Sequence, residues 1–217
     1  MTLRHWALAS ALIPALTVHI TWVTAASTQA LEWCNPYWSH CHSISATGRE
    51  VPQFYIFKLF MLPAAVCMAM YWRSLAAWLQ SQAMPPRGIF LIRILGYSAC
   101  LALGIYTLTL GAIGESWQVP RRMGVVGYFA FTAFAHLWVL RIISSSDHAE
   151  YIRQSVRQRL FWITTGLWCL GIISAILGFT WSGYNNWDNA FEWWFAALMV
   201  SQFVCVAFLP RSQAKAG

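Results

Sequence analysis

Ionisable side chains are what this sequence has least of. Only 10% of its 217 residues are Asp, Glu, Lys or Arg, against about 25% in a soluble domain, which excludes a folded body surrounded by water. The alternating segments of about ten residues that build a transmembrane barrel are also missing. No glycine-rich phosphate loop, His-Glu-x-x-His pair or nucleophile elbow occurs, so the commonest signatures of nucleotide, zinc-hydrolase and serine-hydrolase chemistry are absent. Nor is there a basic run or an aromatic–basic platform. The formal charge of +7 is therefore not read as a nucleic-acid surface, and no nucleic-acid partner is expected.

What is present is apolar. Hydrophobic residues make up 59% of the chain and mean hydropathy is +0.51. A helix needs about 20 apolar residues to cross a bilayer, and six segments qualify, at approximately 6–25, 54–72, 89–113, 123–143, 160–179 and 189–209. Backbone polar groups must be satisfied inside the membrane, so each is read as a helix. The expected fold is all-α, a single integral membrane domain over 1–217 with six transmembrane helices.

Ten basic residues fall on the side of the termini: Arg4, Arg73, Arg87, Arg93, Arg141, Arg153, Arg157, Arg159, Arg211 and Lys215. Four (Arg49, Lys58, Arg121 and Arg122) fall on the other. Basic loops stay in the cytoplasm, so both termini are expected there, with loop 26–53 extracytoplasmic. The loop between the fourth and fifth spans, with Asp147, Glu150 and three arginines, reads as an inner surface connection. The first segment has the outline of a cleaved leader, but its length, Pro14 and His19 favour a retained helix. Pro85-Pro86 separates the second and third spans, since proline has no amide to donate. The tryptophan-rich stretch 181–188 reads as an outer hairpin whose aromatics suit the headgroup level.

Among six cysteines, Cys67, Cys100, Cys169 and Cys205 lie in apolar segments and read as small hydrophobes. Cys34 and Cys41 flank a loop, and theirs is the one spacing that invites a disulfide, given an oxidising compartment. The histidines do not pair at two depths as a haem would need, because His19 is near the outer end of its helix and His136 in the inner half of its own. A zinc site from His40, His42 and Glu192 can be drawn, as can a Ser45–His42–Glu192 triad, but such residues are too common for either to carry weight. No catalytic residue, metal or cofactor is assigned.

The densest polar stretch lies between the first two spans, at residues 34–55. Within it, Ser39-His-Cys-His-Ser43-Ile-Ser45-Ala-Thr-Gly48-Arg-Glu-Val-Pro52-Gln-Phe-Tyr55-Ile56-Phe resembles the outer-loop signature of the Frag/DRAM/Sfk superfamily. That group includes the damage-regulated autophagy modulators and GPI-anchor remodelling proteins. Two later stretches are similar more loosely: Arg122-Met-Gly124-Val-Val-Gly-Tyr128-Phe129 to the start of the family's fourth helix, and the Glu192-Trp193 of Asn189-Ala-Phe-Glu192-Trp193 to the opening of its sixth. His40-Cys-His42 departs from the pair usually found before the serine. The resemblance implies six helices with cytoplasmic ends and a role in membrane lipid organisation or lipid-anchor handling, without established catalysis.

The residues support such a site on their own chemistry. Hydroxyls and glycine suit a capped connection, arginines offer forked donors to phosphate, and a carboxylate at membrane depth marks function by default. Ser43, Ser45, Thr47, Gly48, Arg49, Arg122 and Glu192 are the candidate ligand-binding residues, with Arg121 within reach and Arg122 or Lys58 as partner to Glu192. Trp33, Trp38 and Trp193 read as aromatic walls or interface anchors. The expected partner is a membrane lipid. The rival readings are a subunit docked to a membrane-protein partner through the small-residue stretches Gly104–Gly111 and Gly166–Gly171, and a lipid acyl transferase or hydrolase with His42 or Glu192 as base.

Overall fold

The computed structural model describes residues 2–145 and 152–209. Asp147, Glu150, Arg211 and Lys215, which entered the charge reading above, lie outside the described residues. The described residues form an all-helical bundle, and six of the helices are long and apolar enough to cross a membrane.

In chain order the elements are α1 (Leu3–Ser27), the four-residue α2 (Ile44–Thr47), α3 (Gln53–Ser81), α4 (Pro86–Thr109), α5 (Gln118–Ser145), α6 (Gln154–Thr180) and α7 (Asp188–Ala207). Short 3₁₀ turns at Glu115–Trp117 and Ser182–Asn186 precede α5 and α7. Every predicted span is present, with shifted ends. α3 continues to Ser81, well past the expected end at 72, because Arg73–Leu79 is rich in good helix formers. It stops where Ala83 turns to φ +53 ahead of Pro85. α4 starts on Pro86, a residue suited to a first turn whose amides have no partner, and ends at Thr109 before Gly111 turns to φ +75. Pro120 similarly falls in the first turn of α5, so that helix starts at Gln118 and not at the expected 123.

The helices form a ring. α1 packs on α3 and α7, α3 on α4, α4 on α5, and α7 on α6. The link that would close the ring, α5 to α6, is slight, and α5 barely meets α7. Six antiparallel passes put the start of α1 and the end of α7 at one end, where the Arg4 guanidinium lies 4.9 Å from the centroid of the Phe208 ring. The opposite end carries residues 28–52.

The terminal half of the bundle is closely filled. Tyr71, Trp72, His136 and Phe203 are fully buried or nearly so. Their rings interlock, with centroids 4.8 Å apart for Tyr71–Phe203 and for His136–Phe203. His136 Nδ1 donates to the Thr132 carbonyl at 3.0 Å, leaving Nε2 to accept from the Tyr71 hydroxyl at 3.0 Å. A polar pair this deep is stabilised because each member satisfies the other.

Candidate functional site

The loop after α1 is strapped to the start of α7. Cys34 and Cys41 are disulfide-bonded, with Cα atoms 5.5 Å apart. The His40 amide donates to the Asn186 carbonyl (2.8 Å), Asn189 Nδ2 to the Cys41 carbonyl (2.8 Å) and Trp193 Nε1 to the His42 carbonyl (2.9 Å). Tyr37 closes the strap on the other side. Its hydroxyl meets His19 Nε2 at 2.9 Å, while His19 Nδ1 donates to the Ala15 carbonyl at 2.7 Å. Burial raises the pKa of the Tyr37 hydroxyl above its ordinary value, keeping it a proton donor. Trp193 is 1% exposed, so it is a latch rather than an anchor. Trp33 and Trp38 remain largely exposed and lie edge-on to Trp22 and Trp187.

The strap divides the predicted residues into two groups. Ser43 caps α2, its Oγ accepting from the Ala46 amide at 3.1 Å. Thr47 is buried and shares a 3.0 Å hydrogen bond with Thr21 of α1. Gly48 is buried where a Cβ would come within 2.8 Å of the Phe57 ring. Ser43 shapes the cap, while Thr47 and Gly48 hold it to the bundle. Ser45 points elsewhere. Its hydroxyl shares a 2.9 Å hydrogen bond with Tyr106, a residue of α4 that sequence reading did not single out.

Two recesses meet at Ser45. One, of about 290 Å³, is lined by Ser45, Arg49, Gln118, Arg121, Arg122 and two valines. It gathers three of the four basic residues expected on this side of the membrane. The fourth, Lys58, donates to the Leu108 carbonyl at 3.0 Å and lies 4.1 Å from the Phe54 centroid, so its ammonium is engaged away from Glu192.

The second recess is a groove of about 690 Å³ between α5, α6 and α7. Its walls are apolar, including Phe129, Ala130 and Ala133 of α5, Leu167 and Gly171 of α6, and Phe195 of α7. The Phe134 and Trp168 rings, 4.8 Å apart, close the seam toward mid-membrane. Its lining spans Val125–Phe134 on α5 and Leu167–Ala175 on α6. At 1.5 Å per residue each stretch is about 13 Å of helix, close to the hydrocarbon depth of one leaflet. The groove ends in polar groups at the strap: Ser45, Asp188, Glu192 and Ser174. Below Glu192 a cavity of about 60 Å³ continues into the bundle beside Ser10, whose buried hydroxyl has no partner among the described residues.

Ser45, Arg49, Arg122 and Glu192 therefore converge, while Ser43, Thr47 and Gly48 serve the cap. Arg121 belongs with the first group. Asp188 and the apolar groove were missed. The acid is one of several on its side, and groove residues are indistinguishable by type from lipid-facing ones.

His42 lines a different recess with Glu32 and Trp33, apart from Ser45, which separates the members of the drawn triad. Among the described residues no three His, Cys, Asp or Glu side chains stand together as metal ligands. Both ring nitrogens of His19 and of His136 are engaged in hydrogen bonds. Gly104 and Gly166 face open space, so neither is consumed by packing within the bundle. No family model, curated protein or solved structure matches this chain.

Proposed function

We propose that this multi-pass membrane protein holds a phospholipid-class amphiphile, taken sideways from the leaflet at its disulfide-bearing end, and that it serves membrane lipid organisation or lipid-anchor handling. The observation that carries the reading is the continuity of the two recesses, which share Ser45 and Val125. An acyl chain enters through the loose α5–α6 seam and lies in the groove. The phosphate comes to rest at Arg49, Arg121 and Arg122, whose planar forks suit its oxygens. An unspecific gap between helices would also fill with lipid tails, but it would have no cationic recess at its mouth.

The strap end faces the extracytoplasmic side in this reading. The basic bias toward the termini and the Cys34–Cys41 disulfide, a bond kept in oxidising compartments, support that orientation together. The resemblance to the Frag/DRAM/Sfk superfamily points to the same class of role. A second reading, a subunit docking to another membrane protein through α6, draws on the open glycine at Gly166 and on α6 being the least enclosed of the spans.

Native mass spectrometry of the protein released from phosphatidylglycerol-containing nanodiscs tests the first reading. The wild type is expected to retain one phospholipid. The Arg121→Ala/Arg122→Ala variant should retain about tenfold less, the loss of two partly exposed phosphate contacts, with its circular dichroism unchanged. Retention unaffected by that variant would remove the arginines from the site.

A further inference from the structure

We infer that the headgroup this site selects is zwitterionic, with an ammonium group beside its phosphate that comes to rest against Asp188 and Glu192. The inference rests on the lipid-binding reading above and deepens it.

The mouth of the groove carries charge of both signs, held apart. Arg49, Arg121 and Arg122 line the recess on one side of Ser45. Asp188 and Glu192 line the groove on the other, one helical turn apart on α7 and so on one face. If the carboxylates served only to neutralise the arginines, they would be paired with them. Asp188 Oδ1 accepts instead from the Asn189 amide at 2.7 Å. That contact fixes the Asp188 carboxylate at the groove mouth, and both carboxylates keep lone pairs for a donor.

A purely anionic headgroup gains from the arginines but brings a negative phosphate toward two acids of like charge. A headgroup with phosphate and ammonium on adjacent carbons satisfies both walls at once. Ser45 lies between the walls and lines both recesses, so its hydroxyl is placed to meet the phosphate ester at the crossing point. Of the aromatics lining the groove, Phe191 and Phe195 lie beside Glu192 on α7, and two rings on one helix are too few for an aromatic cage around the ammonium. Recognition of the cation therefore falls to the carboxylates.

The test is competitive retention in nanodiscs holding equal amounts of phosphatidylethanolamine, phosphatidylcholine and phosphatidylglycerol with identical acyl chains, read by native mass spectrometry. Wild-type protein should retain each zwitterionic lipid about fivefold over phosphatidylglycerol, the size expected of a partly exposed charge contact. Asp188→Asn, at an exposed position, and Glu192→Gln should each shift the ratio toward phosphatidylglycerol, and a ratio unchanged from wild type in both variants overturns the inference. Because Glu192 lies between the groove and the inner cavity, the exposed Asp188→Asn variant gives the reading if Glu192→Gln fails to fold. Wild-type retention of phosphatidylglycerol equal to or above that of the zwitterions overturns this inference and leaves the lipid site standing. Retention of no phospholipid at all overturns both.

Discussion

Helix α5 meets α4 along one flank and α6 along the other, and the two seams are built differently. On the α4 side the backbones approach through glycine. A Cβ on Gly124 would lie 2.7 Å from the Tyr106 backbone nitrogen, and one on Gly127 would lie 3.3 Å from the Ala102 methyl. Small residues at such positions let helices associate in a bilayer, where apolar contact gains nothing over lipid. On the α6 side small residues also occur, Ala130 and Ala133 on α5 and Gly171 and Ala175 on α6, but they line a groove. Packing there gathers at the inner end, where Ala133 and Leu167 are buried in one small cluster with Met199 and the Phe134 and Trp168 rings lie 4.8 Å apart. The same composition thus gives a sealed joint on one flank and a slot on the other, and the polar residues collect at the open end of the slot.

The sealed joint should be the easier to break. Gly124→Leu drives a side chain into the Tyr106 backbone, which cannot give way, and is expected to cost about 3 kcal/mol or more. Thermal unfolding in detergent would show this as a large fall in midpoint or a loss of folded protein. A midpoint close to wild type would mean that the two helices are held apart more than the structure shows. Filling the slot should do the reverse. Ala130→Trp is expected to leave the midpoint within a few degrees of wild type while reducing retained phospholipid about tenfold, as read by native mass spectrometry. Equal loss of stability and of lipid would erase the distinction between the seams.

A smaller effect separates the hydroxyls of the strap. Thr47→Val removes the hydrogen bond to Thr21 and should lower stability by about 1 kcal/mol without changing lipid retention. Ser45→Ala should scarcely alter stability but weaken retention severalfold, since Ser45 alone of these hydroxyls lines both recesses. Opposite results for the pair would exchange their roles.

The contrast also explains what could be read without coordinates. The six spans were legible because a bilayer forces long apolar stretches into helices. Their ends were not, because the good helix formers of Arg73–Leu79 extend α3 and Pro86 and Pro120 sit in first turns, where the missing amide costs nothing. Ser45, Arg49, Arg122 and Glu192 stood out as polar groups in an apolar chain. The difference between Ser45 and its neighbours Ser43 and Thr47 did not, since it depends on which way a four-residue helix faces. The groove left no trace of its own. Ala130, Ala133 and Gly171 would read the same whether they touched a helix, lined a slot or faced lipid.

The most direct measurement is photo-crosslinking in bilayers with a phospholipid that carries a diazirine midway along one acyl chain, followed by peptide mapping. If the slot and the cationic recess form one amphiphile site, adducts should concentrate on α5 between Val125 and Phe134 and on α6 between Leu167 and Ala175, and should fall away in the Arg121→Ala/Arg122→Ala variant. Adducts spread evenly over the outward faces of α1, α3 and α4, unchanged by that variant, would contradict it.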